Sequence, residues 1–187
     1  QSLKEIKDVS GRLELVRRFP NNIKVFIDYA HTPDALLKVL KSLEGIYGKN
    51  ISLVFGCGGD RDKKKRSLMA KTANNYSRKI YVTDDNPRSE NPRKIRNEII
   101  KRIDPNKCSN IGNRAEAIKK AIKNSHQNGI VIIAGKGHED KQIYKNKIFH
   151  ISDKKIVKNI KFKIKVLDKK KINYLQNKLI LKKIKRN

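Results

Sequence analysis

An α/β fold with a doubly wound, mostly parallel sheet and an antiparallel edge hairpin is predicted by three observations. Four short apolar runs, at residues 23–27, 51–55, 80–83 and 130–134, are rich in β-branched side chains. Helical periodicity fills the gaps between them. Each run stops abruptly at a polar or glycine-rich motif. Runs of this length and composition favour buried strands over helices. Strands that alternate with helices form parallel sheets with right-handed crossovers.

The elements follow in order. Residues 9–16 carry a weaker strand pattern ahead of the first apolar run. Thr32-Pro33 supplies an N-cap and a proline at the first helical position, and Ala35, Leu36, Val39, Leu40 and Leu43 then share one face. A second helix is expected near residues 65–76. A third opens at Asn91-Pro92, with Ile95, Ile99 and Ile103 at four-residue spacing. The fourth opens at Asn113, with Glu116 as capping-box partner and a stripe of Ala117, Ile118, Ala121 and Ile122. Residues 141–144 and 148–151 flank Lys145-Asn146-Lys147 and predict a hairpin on the sheet edge. From about Lys154 the pattern dissolves into Lys/Ile/Asn-rich sequence, in which residues 174–184 suit a basic helix. The expected organisation is a Rossmann-like domain over residues 1–153 and a basic extension over residues 154–187.

At 187 residues the chain suits one domain plus an extension and can bury a sizeable core. Its formal charge of +28 is uneven, because residues 154–187 hold 14 of the 46 Lys/Arg and a single acid, Asp168. The lysine surplus travels with abundant Ile and Asn, which favours a composition bias of the source over a nucleic-acid footprint. There is no Trp, aromatic residues are 6%, and no stacking or groove-reading motif occurs. A basic nucleic-acid module stands as the competing class, distinguished by an affinity that falls steeply with salt. Cys57 and Cys108 lie far apart without Cys-x-x-Cys spacing, as expected for a reducing cytoplasm. No apolar stretch approaches the roughly 18 residues of a membrane span, and no signal peptide is visible. The chain begins at Gln1 in patterned sequence, as a piece of a longer protein would.

The strand-end motifs are Asp28-Tyr29-Ala30-His31-Thr32-Pro33, Gly56-Cys57-Gly58-Gly59-Asp60-Arg61-Asp62, Asp84-Asp85-Asn86-Pro87-Arg88 and Gly135-Lys136-Gly137-His138-Glu139-Asp140. Open α/β sheets bind ligands outside the carboxyl ends of their strands. Glycine after one strand is ordinary turn chemistry, but four such motifs on one rim predict a site. Arg61 and Arg88 suit a carboxylate or phosphate. Glu139 and Asp85 suit an ammonium, Asn86 can donate and accept, and Gly135 permits close approach. Pro87 stiffens its turn. Both signs of charge on one rim suit a zwitterion, meaning an amino acid. Blander roles compete at several positions. Arg61 would pair on the surface with Asp60 or Asp62, His31 and His138 would serve as turn or capping residues, and residues 63–66 would start a solvated helix. Cys57, with no base in its motif, is expected to be a small buried thiol and not a nucleophile. No Gly-x-x-x-x-Gly-Lys-[Ser/Thr] loop is present, so a phosphate loop would have to lie elsewhere.

In this order the motifs resemble the C-terminal domain of the Mur ligases, nearest to the branch that adds meso-diaminopimelate. The resemblance runs from Gly11-Arg12-Leu13-Glu14 through the rim motifs and Asn113-Arg114-Ala115-Glu116-Ala117 to about Ile151. It implies part of an ATP-dependent acid–amino-acid ligase of peptidoglycan synthesis. Such enzymes join an amino acid to UDP-N-acetylmuramoyl-L-alanyl-D-glutamate, using ATP and magnesium to make an acyl phosphate. The resemblance implies that Arg61, Asp85, Asn86, Pro87, Arg88, Gly135 and Glu139 contact meso-diaminopimelate. It places Arg12, Asp28 and His31 toward the ATP side of an interdomain cleft. Catalytic groups, metal ligands and most contacts to ATP, Mg2+ and the UDP-linked substrate would belong to domains this chain lacks. Arg88 matches diaminopimelate-adding members, with a relative adding L-lysine or another amino acid as the alternative. Meso-diaminopimelate carries a distal carboxylate that lysine lacks, and an arginine left unpaired by lysine makes that difference costly. A cytoplasmic monomer is expected.

Overall fold

A computed structural model describes residues 11–161. In chain order these form β1 (Glu14–Phe19), β2 (Ile23–Asp28), α1 (Pro33–Tyr47), β3 (Ile51–Phe55), α2 (Lys64–Tyr76), β4 (Lys79–Val82), α3 (Pro92–Ile100), β5 (Cys108–Asn110), α4 (Arg114–Lys123), β6 (Ile130–Ala134), β7 (Lys141–Tyr144), β8 (Lys147–His150) and α5 (Asp153–Asn159). The sheet order is β1-β2-β6-β3-β4-β5. The four apolar runs become its parallel centre, and β1 closes one edge in antiparallel pairing with β2.

Alternation along the strands sends side chains to two cores. Phe26, Leu53, Phe55, Ile80, Val82, Ile130 and Ile132 pack on one face with Leu36, Leu40, Met69, Ala73, Ile95 and Ile99 of α1, α2 and α3. Val25, Ile27, Val54, Tyr81, Val131 and Ile133 face Ala117, Ile118, Ala121 and Ile122 of α4, with Val157 of α5. Every residue of β6 is buried, which is why its run is continuously apolar. Each large apolar side chain so buried contributes about 1.5–3 kcal/mol.

Helix starts obey the expected cap chemistry. Thr32 Oγ1 accepts from Ala35 N at 3.3 Å, Asn91 Oδ1 from Arg93 N at 2.9 Å, and Asn113 Oδ1 from Glu116 N at 3.0 Å. Each such cap is worth about 1 kcal/mol.

Four expectations are corrected. The first strand begins at Glu14, later than the segment 9–16, of which residues 9 and 10 lie outside the described residues. The β7–β8 hairpin is a separate two-stranded sheet and not an edge of the main one. It joins the rim through a bridge between Arg88 and Tyr144. The boundary expected after residue 153 falls in the first turn of α5, whose Val157 is fully buried in the second core. Residues 63–66 are not simply a solvated helix start, because Arg66 is only 1% exposed and pairs with Glu90 and Glu98. The possible helix at residues 174–184 lies outside the described residues.

Candidate functional site

Parallel register brings the strand ends to one rim, pairing Asp28 with Ala134 and Phe55 with Val82. The four motifs leave the sheet there and enclose a cleft of about 400 Å³. Arg61, Asp85, Asn86, Arg88, Gly135 and Glu139 all line it, with His31 at its margin. Pro87 does not line it. Its carbonyl would lie 1.9 Å from a Cβ at Gly59, so residue 59 must be glycine for the two loops to touch.

Arg88 forms the cationic wall. Its Nη1 donates to the Gly59 carbonyl at 2.9 Å and more weakly to that of Asn86 at 3.4 Å. Its backbone is left-handed, with φ +52°, a conformation that costs a non-glycine residue about 1 kcal/mol or more. The hairpin holds it there. Arg88 N donates to Ile143 O at 3.0 Å, and Lys145 N donates to Arg88 O at 2.6 Å. Asn86 is anchored from the same side, its Oδ1 accepting from Ile143 N at 3.0 Å. Asp84, the neighbour that does not enter the cleft, pairs with Arg96 and accepts from Tyr144 Oη at 2.8 Å.

The anionic wall is Asp85 and Glu139. Asp85 Oδ2 is buried without a hydrogen-bond partner, 3.9 Å from Nη1 of Arg114, which has none either. A Cβ at Gly135 would sit 2.8 Å from that oxygen, and Gly135 has φ +113°. Glycine is therefore required there on both counts. Glu139 accepts from Tyr29 Oη at 3.3 Å, and its negative charge, with burial, raises the Tyr29 phenol above its ordinary value. Tyr29 packs between His31 and His138, at ring distances of 4.6 and 5.9 Å. Cys57 is buried, and desolvation pushes its thiol up to about 12. It is thus a small buried thiol, as its sequence context indicated.

A second cleft, of about 380 Å³, adjoins the first through Tyr29 and His31. Arg12, Asp28 and Lys38 line it. The structure thus brings Arg12, Asp28 and His31 together, but Asp28 is committed to the backbone. Its carboxylate accepts from Leu13 N at 2.6 Å and Ala30 N at 2.7 Å.

Three charged residues outside the expected site support it from below. Arg114 is fully buried and grips Asp153 through Nε and Nη2, at 2.8 and 2.7 Å. Arg66 ties α2 to Glu90 and Glu98. Lys136 is buried beneath Asn86 and Glu139. The signal available for Lys136 was a lysine flanked by glycines directly after a fully apolar strand.

The family profile described as "Mur ligase, glutamate ligase domain" matches residues 11–137. The UDP-N-acetylmuramoyl-L-alanyl-D-glutamate--2,6-diaminopimelate ligase of Rickettsia montanensis is 48% identical over 159 residues, covering 84% of this chain and 32% of that protein. The ligase of the same name from Wigglesworthia glossinidia brevipalpis is also 48% identical over 159 residues, covering 82% and 31%. A solved structure of a ligase so named aligns with a TM-score of 0.74 at 37% identity, over 82% of this chain and 32% of that one. The chain therefore spans about a third of the length of these relatives. A folylpolyglutamate synthase of Mycobacterium tuberculosis, at 22% identity and a TM-score of 0.57, shares the fold. With the profile covering most of the described residues, all four rim motifs included up to Gly137, the chain belongs to the Mur ligase family.

Proposed function

We propose that this chain is the amino-acid-binding domain of a ligase that adds meso-diaminopimelate to UDP-N-acetylmuramoyl-L-alanyl-D-glutamate in peptidoglycan synthesis. The observation that carries the proposal is the sorting of charge across the cleft. Arg88 and Arg61 line it together with Asp85 and Glu139. A zwitterionic end fits such a site, its carboxylate toward the guanidinium groups and its ammonium toward the carboxylates. Meso-diaminopimelate has two such ends. One is held by the cleft and the other presents its amine for attack on the phosphorylated glutamate carboxyl, forming the amide as the acyl C–O bond breaks and phosphate leaves. The relatives' names, which specify 2,6-diaminopimelate, support the same ligand.

The chain's own work in this reading is to bind and orient. Asp85, Asn86, Arg88, Gly135, Glu139 and Arg61 form the ligand contacts, with Pro87 stiffening the loop from outside. ATP with magnesium supplies the phosphoryl group that activates the glutamate carboxyl. The residues described here do not fit that role. No three His, Cys, Asp or Glu among the described residues converge to hold a metal ion. The glycines of residues 56–59 are closed against Thr83, Pro87 and Arg88 and leave no phosphate cradle. That chemistry is assigned to domains outside this chain, with Arg12, Lys38 and His31 facing the nucleotide from the second cleft. The proposal includes a cytoplasmic location. No helix among the described residues is long and apolar enough to cross a membrane.

The test is a ligation assay on the full-length enzyme, comparing meso-diaminopimelate with L-lysine and adding Arg88→Ala. Losing one partner of a buried charge pair costs about 2–5 kcal/mol. Arg88→Ala is therefore expected to lower kcat/KM for meso-diaminopimelate by about 30-fold or more, with much less effect on lysine. A wild type that prefers lysine refutes the assignment.

A further inference from the structure

Lys136 stands between two left-handed glycines, Gly135 (φ +113°) and Gly137 (φ +53°), which swing it back beneath the cleft floor. Its side chain is fully buried. Nζ donates to Asn86 Oδ1 at 3.2 Å and to the Lys141 carbonyl, and lies 3.7 Å from Glu139 Oε2. An ammonium has three donors and no acceptor, so the Asn86 atom facing it is the oxygen. The hairpin fixes the same atom independently, through the Ile143 N–H at 3.0 Å. Two donor-only groups on one oxygen remove the usual ambiguity of amide orientation. The Nδ2 group of Asn86 is left for the cleft that the residue lines.

We infer that Lys136 is a positioning residue that locks Asn86 as a hydrogen-bond donor, so that this part of the cleft selects a carboxylate oxygen over an amine. This inference rests on the amino-acid-binding reading above. Lys136 never touches the ligand. It acts through Asn86 and, by its proximity to Glu139, keeps the ammonium-holding carboxylate on the same floor. Burial lowers its proton affinity, while the nearby Asp85 and Glu139 charges oppose that effect. Burial, with the Arg114 charge, prevails and leaves its pKa below the ordinary lysine value, while the three contacts are those of the charged form.

Steady-state kinetics on the full-length enzyme with Lys136→Met and Asn86→Asp test it. Lys136→Met is expected to raise KM for meso-diaminopimelate about tenfold at nearly unchanged kcat, the effect of one charge-assisted hydrogen bond acting through Asn86. The preference over L-lysine falls by the same factor. Asn86→Asp still offers an acceptor to Lys136 and Ile143 but turns a second oxygen toward the cleft, so it loses the preference while keeping its melting temperature. The inference is overturned if Lys136→Met lowers kcat with KM unchanged, or if Asn86→Asp retains the preference. If Lys136→Met fails to fold, Lys136→Gln takes its place, with the same rise in KM expected, and an unchanged KM and preference overturn the inference. A wild type that ligates lysine instead defeats the preceding reading and the carboxylate preference, and leaves the Lys136–Asn86 lock to be tested on lysine itself. Asn86→Asp would then lower KM for lysine, whose distal amine prefers an acceptor, and a raised KM would overturn the inference.

Discussion

Asp153→Ala removes half of an ion pair in which neither side chain is exposed. Arg114 Nε and Nη2 donate to the two Asp153 oxygens at 2.8 and 2.7 Å, and Nη2 also reaches the Ala134 carbonyl at 3.1 Å. After the substitution the guanidinium keeps that carbonyl and Asp85 at 3.9 Å, but no hydrogen-bonded carboxylate. Stranding a buried charge in this way costs about 3–5 kcal/mol. That is a large part of the roughly 5–15 kcal/mol that holds a domain folded. At about 2–4 °C per kcal/mol for a chain of this size, the melting temperature falls by roughly 6–20 °C. Urea denaturation followed by circular dichroism measures the loss, with the m-value expected to stay constant. The control is Arg114→Met with Asp153→Leu, which removes both charges and is expected to recover most of the stability. A loss below about 1 kcal/mol would show that the pair is not isolated from water as the structure has it. A double variant no more stable than the single one would show that packing, and not charge, explains the effect.

Two further predictions concern groups whose titration the fold alters. With its thiol pushed up to about 12 by burial, Cys57 is expected to resist iodoacetamide at neutral pH until the chain unfolds. Mass spectrometry of partially labelled protein checks this, and rapid labelling of the native state contradicts it. Glu90 accepts from Arg66 at 2.8 Å and from Asp60 N at 2.8 Å, and the Arg66 contact first of all holds its carboxyl below the ordinary 4.5. A lowered folded value means that its contribution is complete above 4.5 and is lost as pH falls through the folded value. The stability gap between wild type and Glu90→Gln in urea is therefore expected to be constant at neutral pH and to close on acidification. A gap that widens in acid would reverse the sign and refute the assignment.

The sheet centre and the helix starts were legible because their signals are local. Residues 51–55 and 130–134 are strands to the residue, since burial on both faces makes the runs nearly or wholly apolar and each stops at a glycine. Thr32, Asn91 and Asn113 cap helices because cap chemistry acts within three residues. What was missed depends on partners distant in sequence. The strand β5, Cys108–Asn110, carries no apolar run and exists only by pairing with β4. The helix α5 is mostly polar and is held by Asp153 on Arg114, 39 residues away, and by Arg17, whose Nη1 caps its last carbonyls. Arg61, Asp85, Asn86, Arg88, Gly135 and Glu139 could be placed on the cleft because they belong to the motifs that follow strand ends. Lys136, Arg114 and Arg66 were not singled out, because a buried charge looks like a surface charge until its partner is known. Asn86 lies 50 residues from Lys136, and Glu98 lies 32 from Arg66.

Under the proposed function, these supports would let a rim made of loops discriminate between similar ligands. A flexible arginine on a loop loses side-chain entropy when it binds a carboxylate, at about 0.5–1.5 kcal/mol for each rotamer-rich group immobilised. Arg88 has already lost much of that freedom. Its backbone is clamped in a left-handed turn by Ile143 and Lys145, and Nη1 is anchored on Gly59. Asn86 is held by Lys136 and Ile143, and Asp85 faces a guanidinium that α5 holds in turn through Asp153. The β7–β8 hairpin, separate from the main sheet, thus braces the Arg88 loop. A ligand entering this cleft meets donors and acceptors whose positions are fixed before it arrives. Under the proposed amino-acid-binding reading, its binding energy then goes into distinguishing carboxylate from amine, and little is needed to order the walls.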